Sequence, residues 1–316
     1  MEGAFSFTLI LSGEALAAET SPEESAQAAL ASAFTLHAGA DKSHSTIRLS
    51  PFFALLETSA RRSAVLTAGV DTALSAAQNL LPESHPQAVE DERRITALRT
   101  VNLLLLKVQN EKSLPADIQL AVNDAAKRVS RALQSSHLLF QLEAAHSHIQ
   151  GSDTRDVRGD TSADLMFCQR LVAAVYLAER DEQGSAIFKR MESLAWKLLQ
   201  SMYRVEKIAK TARDALRADA REHLSVQCGE VCPACDADVP LVAIGADGVT
   251  RCRTGHIWSR CSVTWKPLGE VRSRTCIGCN RKAYPVSLGE EGSQLLNEAL
   301  NTSRHCITCG APWTIL

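Results

Sequence analysis

Nine of the chain's ten cysteines lie between residues 228 and 309, and six of them form three Cys-x-x-Cys pairs: Cys232/Cys235, Cys276/Cys279 and Cys306/Cys309. Between the first pair and the second stands Cys252-Arg-Thr-Gly-His256-Ile-Trp-Ser-Arg-Cys261. No other feature constrains the fold as tightly. A Cys-x-x-Cys turn aims two sulfurs to one side, and two such half-sites close a four-coordinate zinc site. Four half-sites within 78 residues therefore predict two Zn(2+) ions. Soft thiolate donors match zinc and leave no open position for a substrate, so both sites are expected to be structural. A zinc deaminase would carry His-x-Glu ahead of Pro-Cys-x-x-Cys. Cys232-Pro-Ala-Cys235 has no such partner upstream.

The candidate ligands are Cys232, Cys235, Cys252, His256, Cys261, Cys276, Cys279, Cys306 and Cys309. In the middle cluster three donors compete for two places. Cys252 with Cys261 ranks first, and His256 is the contender for either place. Two pairings are open. A sequential scheme joins Cys232 and Cys235 to the middle cluster, and Cys276/Cys279 to Cys306/Cys309. A cross-braced scheme, as in a RING domain, interleaves them. Sequential pairing is favoured, because Cys261 is followed by Ser-Val-Thr264 where a RING would continue with Cys-x-x-Cys. Gly278 and Gly310 suit the turns, Cys228 reads as a spare thiol, and Cys168 as a helix core residue. Thiolate ligands need a reducing compartment, which predicts an intracellular protein.

Upstream, the texture is different. Residues 1–227 are rich in Ala, Leu, Glu, Gln and Arg and read as an antiparallel helical bundle. Ser21-Pro22-Glu23-Glu24 is a helix start, with Ser21 as cap and Glu24 closing a capping box. Ser50-Pro51 is a second start, leading into one helix through Leu81. Pro82 and Pro86 interrupt, and further helices are expected over roughly 87–110, 115–149, 163–180 and 185–223. The Gly-, Ser- and Asp-rich stretch 151–162 reads as an exposed loop. Glu143-Ala-Ala-His146 is a lone Glu-x-x-His match, and one alone does not make a di-metal bundle. In 228–316 the only helical period is 287–303, and no internal repeat of fixed period stands out. The expected fold is thus mainly α, a helical bundle over 1–227, followed by a small zinc-stabilised domain with short strands over 228–316.

Bulk properties narrow the function. The net charge of −2 gives no general affinity for nucleic acid. No run of 18 apolar residues predicts a membrane span. The stretch FSFTLILSG is preceded by Met-Glu-Gly-Ala, whose Glu2 is the wrong charge for a secretory signal. Charge is uneven locally: 251–282 carries Arg251, Arg253, Arg260, Lys266, Arg272, Arg274, Arg281 and Lys282 against Glu270 alone. Such a strip suits DNA phosphates or an acidic protein face. Trp258, Trp265 and Trp313 stand beside ligands and read as the packing core of a small domain.

The string Cys252-x-x-Gly255-His256-x-Trp258-x-Arg260-Cys261-x-x-Thr264, between the Cys-x-x-Cys pairs, resembles the C-terminal zinc-finger domain of transcription factor IIIC subunits. That factor recognises the internal promoters of tRNA genes for RNA polymerase III. The resemblance covers about 228–316. It implies a nuclear, non-enzymatic assembly subunit with no small-molecule substrate, whose partners are the other subunits of the factor and, through the basic strip 251–282, DNA. Such subunits carry a β-propeller ahead of this region, whereas residues 1–227 read as helices. Subunits of this kind are also linked to histone acetyltransferase activity, but no Gly-rich acetyl-CoA loop is found. The alternatives are therefore a RING-like ubiquitin ligase and an acetyltransferase activity associated with the factor.

Overall fold

The computed structural model describes residues 21–34, 45–81, 92–109, 111–151, 162–182, 185–203, 205–223, 225–226, 229–242, 249–269, 272–286 and 293–315. Cys228, the amino-terminal apolar stretch and most of the expected loop 151–162 lie outside these residues. The fold is mainly α, followed by short strands and two clusters of metal-binding side chains.

By packing, the chain divides into two units: Met1–Ala132 with Thr308–Ala311, and Leu133–Ile307 with Pro312–Leu316. In the first, α1 (Pro22–Phe34), α2 (Ser45–Thr58), α3 (Arg62–Leu80) and α4 (Glu92–Val108) pack on one another around Leu30, Leu49, Phe52, Leu66, Val70, Val101 and Leu104. Helix α1 starts as the sequence predicts. The Ser21 N–H donates to Glu24 Oε2 at 2.9 Å, and the Glu24 N–H donates to Ser21 Oγ at 3.2 Å. Gly69 of α3 is required by close approach, because a Cβ there would collide with the Phe52 ring.

The expected single helix from Pro51 to Leu81 is two helices, α2 and α3. Ser59 breaks it: its Oγ accepts from the Arg61 N–H at 3.1 Å, offering the backbone a local alternative to the helical bond. Pro51 is not the start of α2 but sits inside it, because the helix begins at Ser45. Likewise the expected helix 185–223 divides into α7 (Ala186–Tyr203) and α8 (Glu206–His223).

The second unit contains α6 (Ser162–Glu182), α7, α8 and the latter part of α5 (Ala116–Gly151). Leu171, Val172, Val175 and Tyr176 of α6 are buried, and α6 packs on both α7 and α8. Glu143 of the lone Glu-x-x-His match pairs with Arg190, and His146 Nε2 lies 3.3 Å from Gln150 Nε2. Cys168 is core, and burial pushes its thiol up to about 12.

Short strands follow. β1 (Ser225–Val226) pairs with β2 (Leu241–Val242), and both lie on α6. β3 (Val249–Arg251) and β4 (Ile257–Ser259) form a hairpin. β5 (Arg274–Cys276) is the centre of a three-stranded sheet between β6 (Lys282–Ala283) and β7 (Trp313–Ile315). Helix α9 (Gln294–Thr302) packs on α6. Its cap Ser293 accepts from the Leu296 N–H and donates to Asp164 Oδ1 at 2.6 Å.

Candidate metal centre

Four turns in the strand region repeat one geometry. The residue before the first cysteine bridges the residue six after that cysteine: Val231 to Asp238, Arg260 to Pro267, Thr275 to Lys282 and His305 to Pro312. The fifth residue of each turn is left-handed: Asp236 at φ 56°, Trp265 at 63°, Asn280 at 59° and Gly310 at 68°. In three of them the first cysteine donates its N–H across the turn, Cys232 to Ala237 O at 2.8 Å, Cys261 to Lys266 O at 2.9 Å and Cys276 to Arg281 O at 2.8 Å. A left-handed Asp or Asn is tolerated, but a left-handed Trp is costly and persists only where its surroundings enforce it. The turn is a zinc knuckle. The glycine that the left-handed position calls for is Gly310, while Gly278 lies at an ordinary φ. The sequence hides the repeat, since only the cysteines recur.

The first cluster joins one knuckle to a looser loop. Cys232 and Cys235 face Cys252 and His256, with all four donor atoms within 4.8 Å of one another. Gly255, at φ 100°, turns the chain so that the His256 N–H donates to Cys252 Sγ at 3.2 Å. Cys235 Sγ lies 3.8 Å from Cys252 Sγ, and His256 Nδ1 lies 3.5 Å from Cys252 Sγ and 3.7 Å from Cys232 Sγ. Around a tetrahedral zinc, sulfur–sulfur edges are about 3.8 Å and sulfur–nitrogen edges about 3.6 Å. The donors fit.

Two neighbours tune these sulfurs. Trp258 Nε1 donates to Cys232 Sγ at 3.1 Å, and Thr254 Oγ1 lies 2.8 Å from Cys235 Sγ and 3.1 Å from Cys252 Sγ. Burial works to raise the Cys252 thiol, but hydrogen bonds from Thr254 and His256 outweigh it and bring it down to about 6. Thr254 and the Ala237 backbone act to lower the Cys235 thiol, yet burial and the adjacent Cys232 and Cys252 thiols raise it on balance. A dication relieves that crowding of thiols, since it favours the thiolate at every ligand.

The second cluster is Cys276, Cys279, Cys306 and Cys309, with all four sulfurs again within 4.8 Å of one another. Cys279 Sγ lies 3.6 Å from Cys306 Sγ, another tetrahedral edge. The Gly278 and Cys279 N–H groups donate to Cys276 Sγ at 3.3 and 3.4 Å, the support a thiolate needs. Each cluster can hold one zinc ion, so the protein has places for two.

Of the nine candidate ligands, His256 stands beside Cys252 in the first cluster, and Cys261 lies in neither cluster. Cys261 Sγ instead accepts the N–H groups of Thr264 and Tyr284, each at 3.3 Å. The clusters follow the sequential pairing rather than the cross-braced one.

The basic strip is also smaller than its sequence suggests. Arg260 and Arg274 are buried, and their charges face inward. Arg260 holds Glu230 Oε2 at 2.7 Å and Pro240 O at 2.8 Å, and Arg274 donates to Tyr284 O at 2.7 Å and Ser303 O at 3.2 Å. Arg251, Arg253, Arg272 and Lys282 remain exposed, while Lys266 and Arg281 are half-buried. The three tryptophans are packing residues whose indoles are tied inside the fold, Trp258 to Cys232, Trp265 to Gln141 Oε1 and Trp313 to Ser303 O. Sequence reading missed Thr254, Glu230, Gln141 and Arg170. Only Thr254, two residues from a ligand, left a signal in the spacing.

Residues 218–313 match the family model described as "Putative zinc-finger of transcription factor IIIC complex". This part of the chain is similar to a factor IIIC zinc finger. A 92-residue stretch is 29% identical to the "Putative transcription factor tau subunit sfc9" of Schizosaccharomyces pombe (strain 972 / ATCC 24843). That stretch is 29% of this chain and 13% of the relative. The matched residues hold both metal clusters and all four knuckles, so the likeness covers the candidate metal centre and supports a role in transcription.

Proposed function

We propose that the protein is a non-enzymatic subunit of the transcription factor IIIC complex of RNA polymerase III and works in the nucleus. Residues 1–227 serve as its helical scaffold and 228–316 as its zinc module. Cys232, Cys235, Cys252 and His256 ligate one zinc, and Cys276, Cys279, Cys306 and Cys309 the other. What carries the reading is that the two four-donor clusters fall inside the stretch similar to a factor IIIC zinc finger. Both clusters are closed by four protein donors, which leaves the metal a structural role. The zinc supplies folding energy when bound, and the knuckles, Trp258 and Thr254 orient the sulfurs that receive it.

The module contacts other subunits, and its exposed Arg251, Arg253, Arg272 and Lys282 contact either an acidic protein face or DNA phosphates. Among the described residues no helix is long and apolar enough to cross a membrane. Affinity purification of the tagged protein from nuclear extract, followed by mass spectrometry, tests the proposal. Recovery of other factor IIIC subunits is expected. Discharge of a charged ubiquitin-conjugating enzyme, or acetyl-CoA binding without those subunits, would replace it with one of the enzymatic alternatives.

A further inference from the structure

We propose that residues 261–267 are a zinc knuckle that carries no metal and is retained as the plug fastening the strand region to helices α5 and α6. The turn shares with the other three the bridge, here from Arg260 to Pro267, and the left-handed fifth residue, here Trp265; with the turns at Cys232 and Cys276 it also shares the bond from the first cysteine N–H, here from Cys261 to Lys266 O. It lacks the second sulfur, because Thr264 stands where the others have a cysteine. Its remaining sulfur is engaged by two backbone N–H groups and lies in neither cluster. The spacing is close to that of a paired half-site. Cys261 follows Cys232 by 29 residues, and Cys306 follows Cys276 by 30. The later pair of knuckles closes a metal cluster together, whereas the knuckle at Cys232 takes Cys252 and His256 instead.

What the knuckle kept is its rigid tip. Gln141 of α5 donates to Val263 O at 2.6 Å and accepts from Trp265 Nε1 at 3.0 Å, so one amide clamps the tip from two sides. Arg170 of α6 donates from Nε to Thr264 O at 3.1 Å and from Nη1 to Glu230 Oε1 at 3.2 Å. The other oxygen of Glu230 is held by Arg260, the residue at the base of the knuckle. Gln141, Arg170, Glu230, Arg260, Thr264 and Trp265 are all buried. Buried charges and amides with this many partners fix a single arrangement, and removing one partner strands the rest. The knuckle at Cys306 uses its tip in the same way, since Thr308 O accepts from the buried Asn102 Nδ2 at 3.1 Å. A turn of this kind thus supplies a docking tip whether or not it carries a second cysteine, and the one at Cys261 has the tip without the second sulfur.

The test uses the full-length, zinc-loaded protein. X-ray absorption at the zinc edge is expected to find seven sulfur donors to one nitrogen over two ions, the ratio in which His256 is a ligand and one of the eight candidate cysteines is not. Four sulfurs per zinc would overturn the proposal. Cys261→Val is expected to keep two zinc ions per chain, and a fall to one would make Cys261 a ligand. Should that variant fail to fold, four sulfurs per zinc in the unaltered protein still overturns the proposal, and Cys252→Ser, expected to lower the zinc content, separates Cys252 from Cys261 as the ligand. Gln141→Met leaves Val263 O and Trp265 Nε1 without their partner. The amides of 262–267 should then exchange with solvent roughly tenfold to a hundredfold faster, with zinc content unchanged. Gln141→Glu sets a carboxylate oxygen against Val263 O in a buried site and should raise exchange at least as much. Exchange that neither variant moves would refute the docking role.

Discussion

The two candidate metal clusters differ in donor set, three cysteines and a histidine against four cysteines, and in where they meet water. In the second, Cys276, Cys306 and Cys309 are buried and Cys279 half-buried; in the first, Cys232 and Cys252 are buried, Cys235 is half-buried and His256 is exposed. The second draws its ligands from two knuckles, one opening from β5, the central strand of a sheet. The first draws two of its four from the loop Cys252–His256, which turns at Gly255. A metal leaves by releasing ligands one at a time, and the exposed neutral imidazole is the donor that water and chelators reach first. With zinc in both, the second cluster is expected to hold its ion longer and the first to exchange sooner.

The largest expected effect is at the second cluster. Cys276→Ser should reduce zinc from two ions per chain to one and unfold β5 and its neighbours, because structural zinc supplies on the order of 10 kcal/mol of folding energy. How far the unfolding spreads is informative. Composition alone suggests that the helices survive, since the change of texture falls at residue 227. The packing suggests otherwise for α6, which touches β1 and β2 and whose Arg170 holds Thr264 O. Hydrogen exchange should report lost protection in α6, and full protection there would show that helices and strands fold independently.

Next comes the order of release. A zinc-indicating chelator should extract the two ions in separate phases, the faster from the first cluster. His256→Cys sharpens the assignment, because it gives the first cluster four thiolates and should slow that phase about tenfold or more. A variant that slows the slow phase instead would reverse the comparison. Trp258→Phe works in the opposite direction. It removes the N–H that reaches Cys232 Sγ at 3.1 Å while keeping an aromatic ring, and should speed the fast phase about fivefold to tenfold.

Much of this was legible in the sequence because metal sites are written in local spacing. Three Cys-x-x-Cys pairs announced two zincs, and the capping box at Ser21 announced α1. That His256 rather than Cys261 lies beside Cys252 was not legible. It depends on Tyr284, whose N–H reaches Cys261 Sγ from 23 residues away, and on Gly255, which turns the loop back toward Cys252. The role of Arg260 was hidden for the same reason. Eight cations in 32 residues look like a surface strip until Glu230 and Pro240 O are found facing one of them inside. The helix break at Ser59 escaped because apolar periodicity runs on past a side chain that accepts from the backbone N–H two residues on.

The smallest expected effect is the most specific to the comparison. Thr254 Oγ1 lies 2.8 Å from Cys235 Sγ, 3.1 Å from Cys252 Sγ and 3.2 Å from His256 Nδ1. A hydroxyl has one proton to give, and a metal-bound sulfur or imidazole nitrogen has none, so Thr254 donates to one thiolate at a time. Cys235 is the nearest and the less buried of the two, so its sulfur gains most from a donor that disperses its charge. Thr254→Val keeps the volume and removes the proton. With a hydrogen bond of this kind contributing about 1 kcal/mol, zinc should leave the first cluster about fivefold faster. The slow phase should not move, because the second cluster takes its N–H support from its own Gly278 and Cys279. If both phases accelerate, Thr254 acts on the fold rather than on the sulfur, and the two clusters are less independent than their geometry indicates.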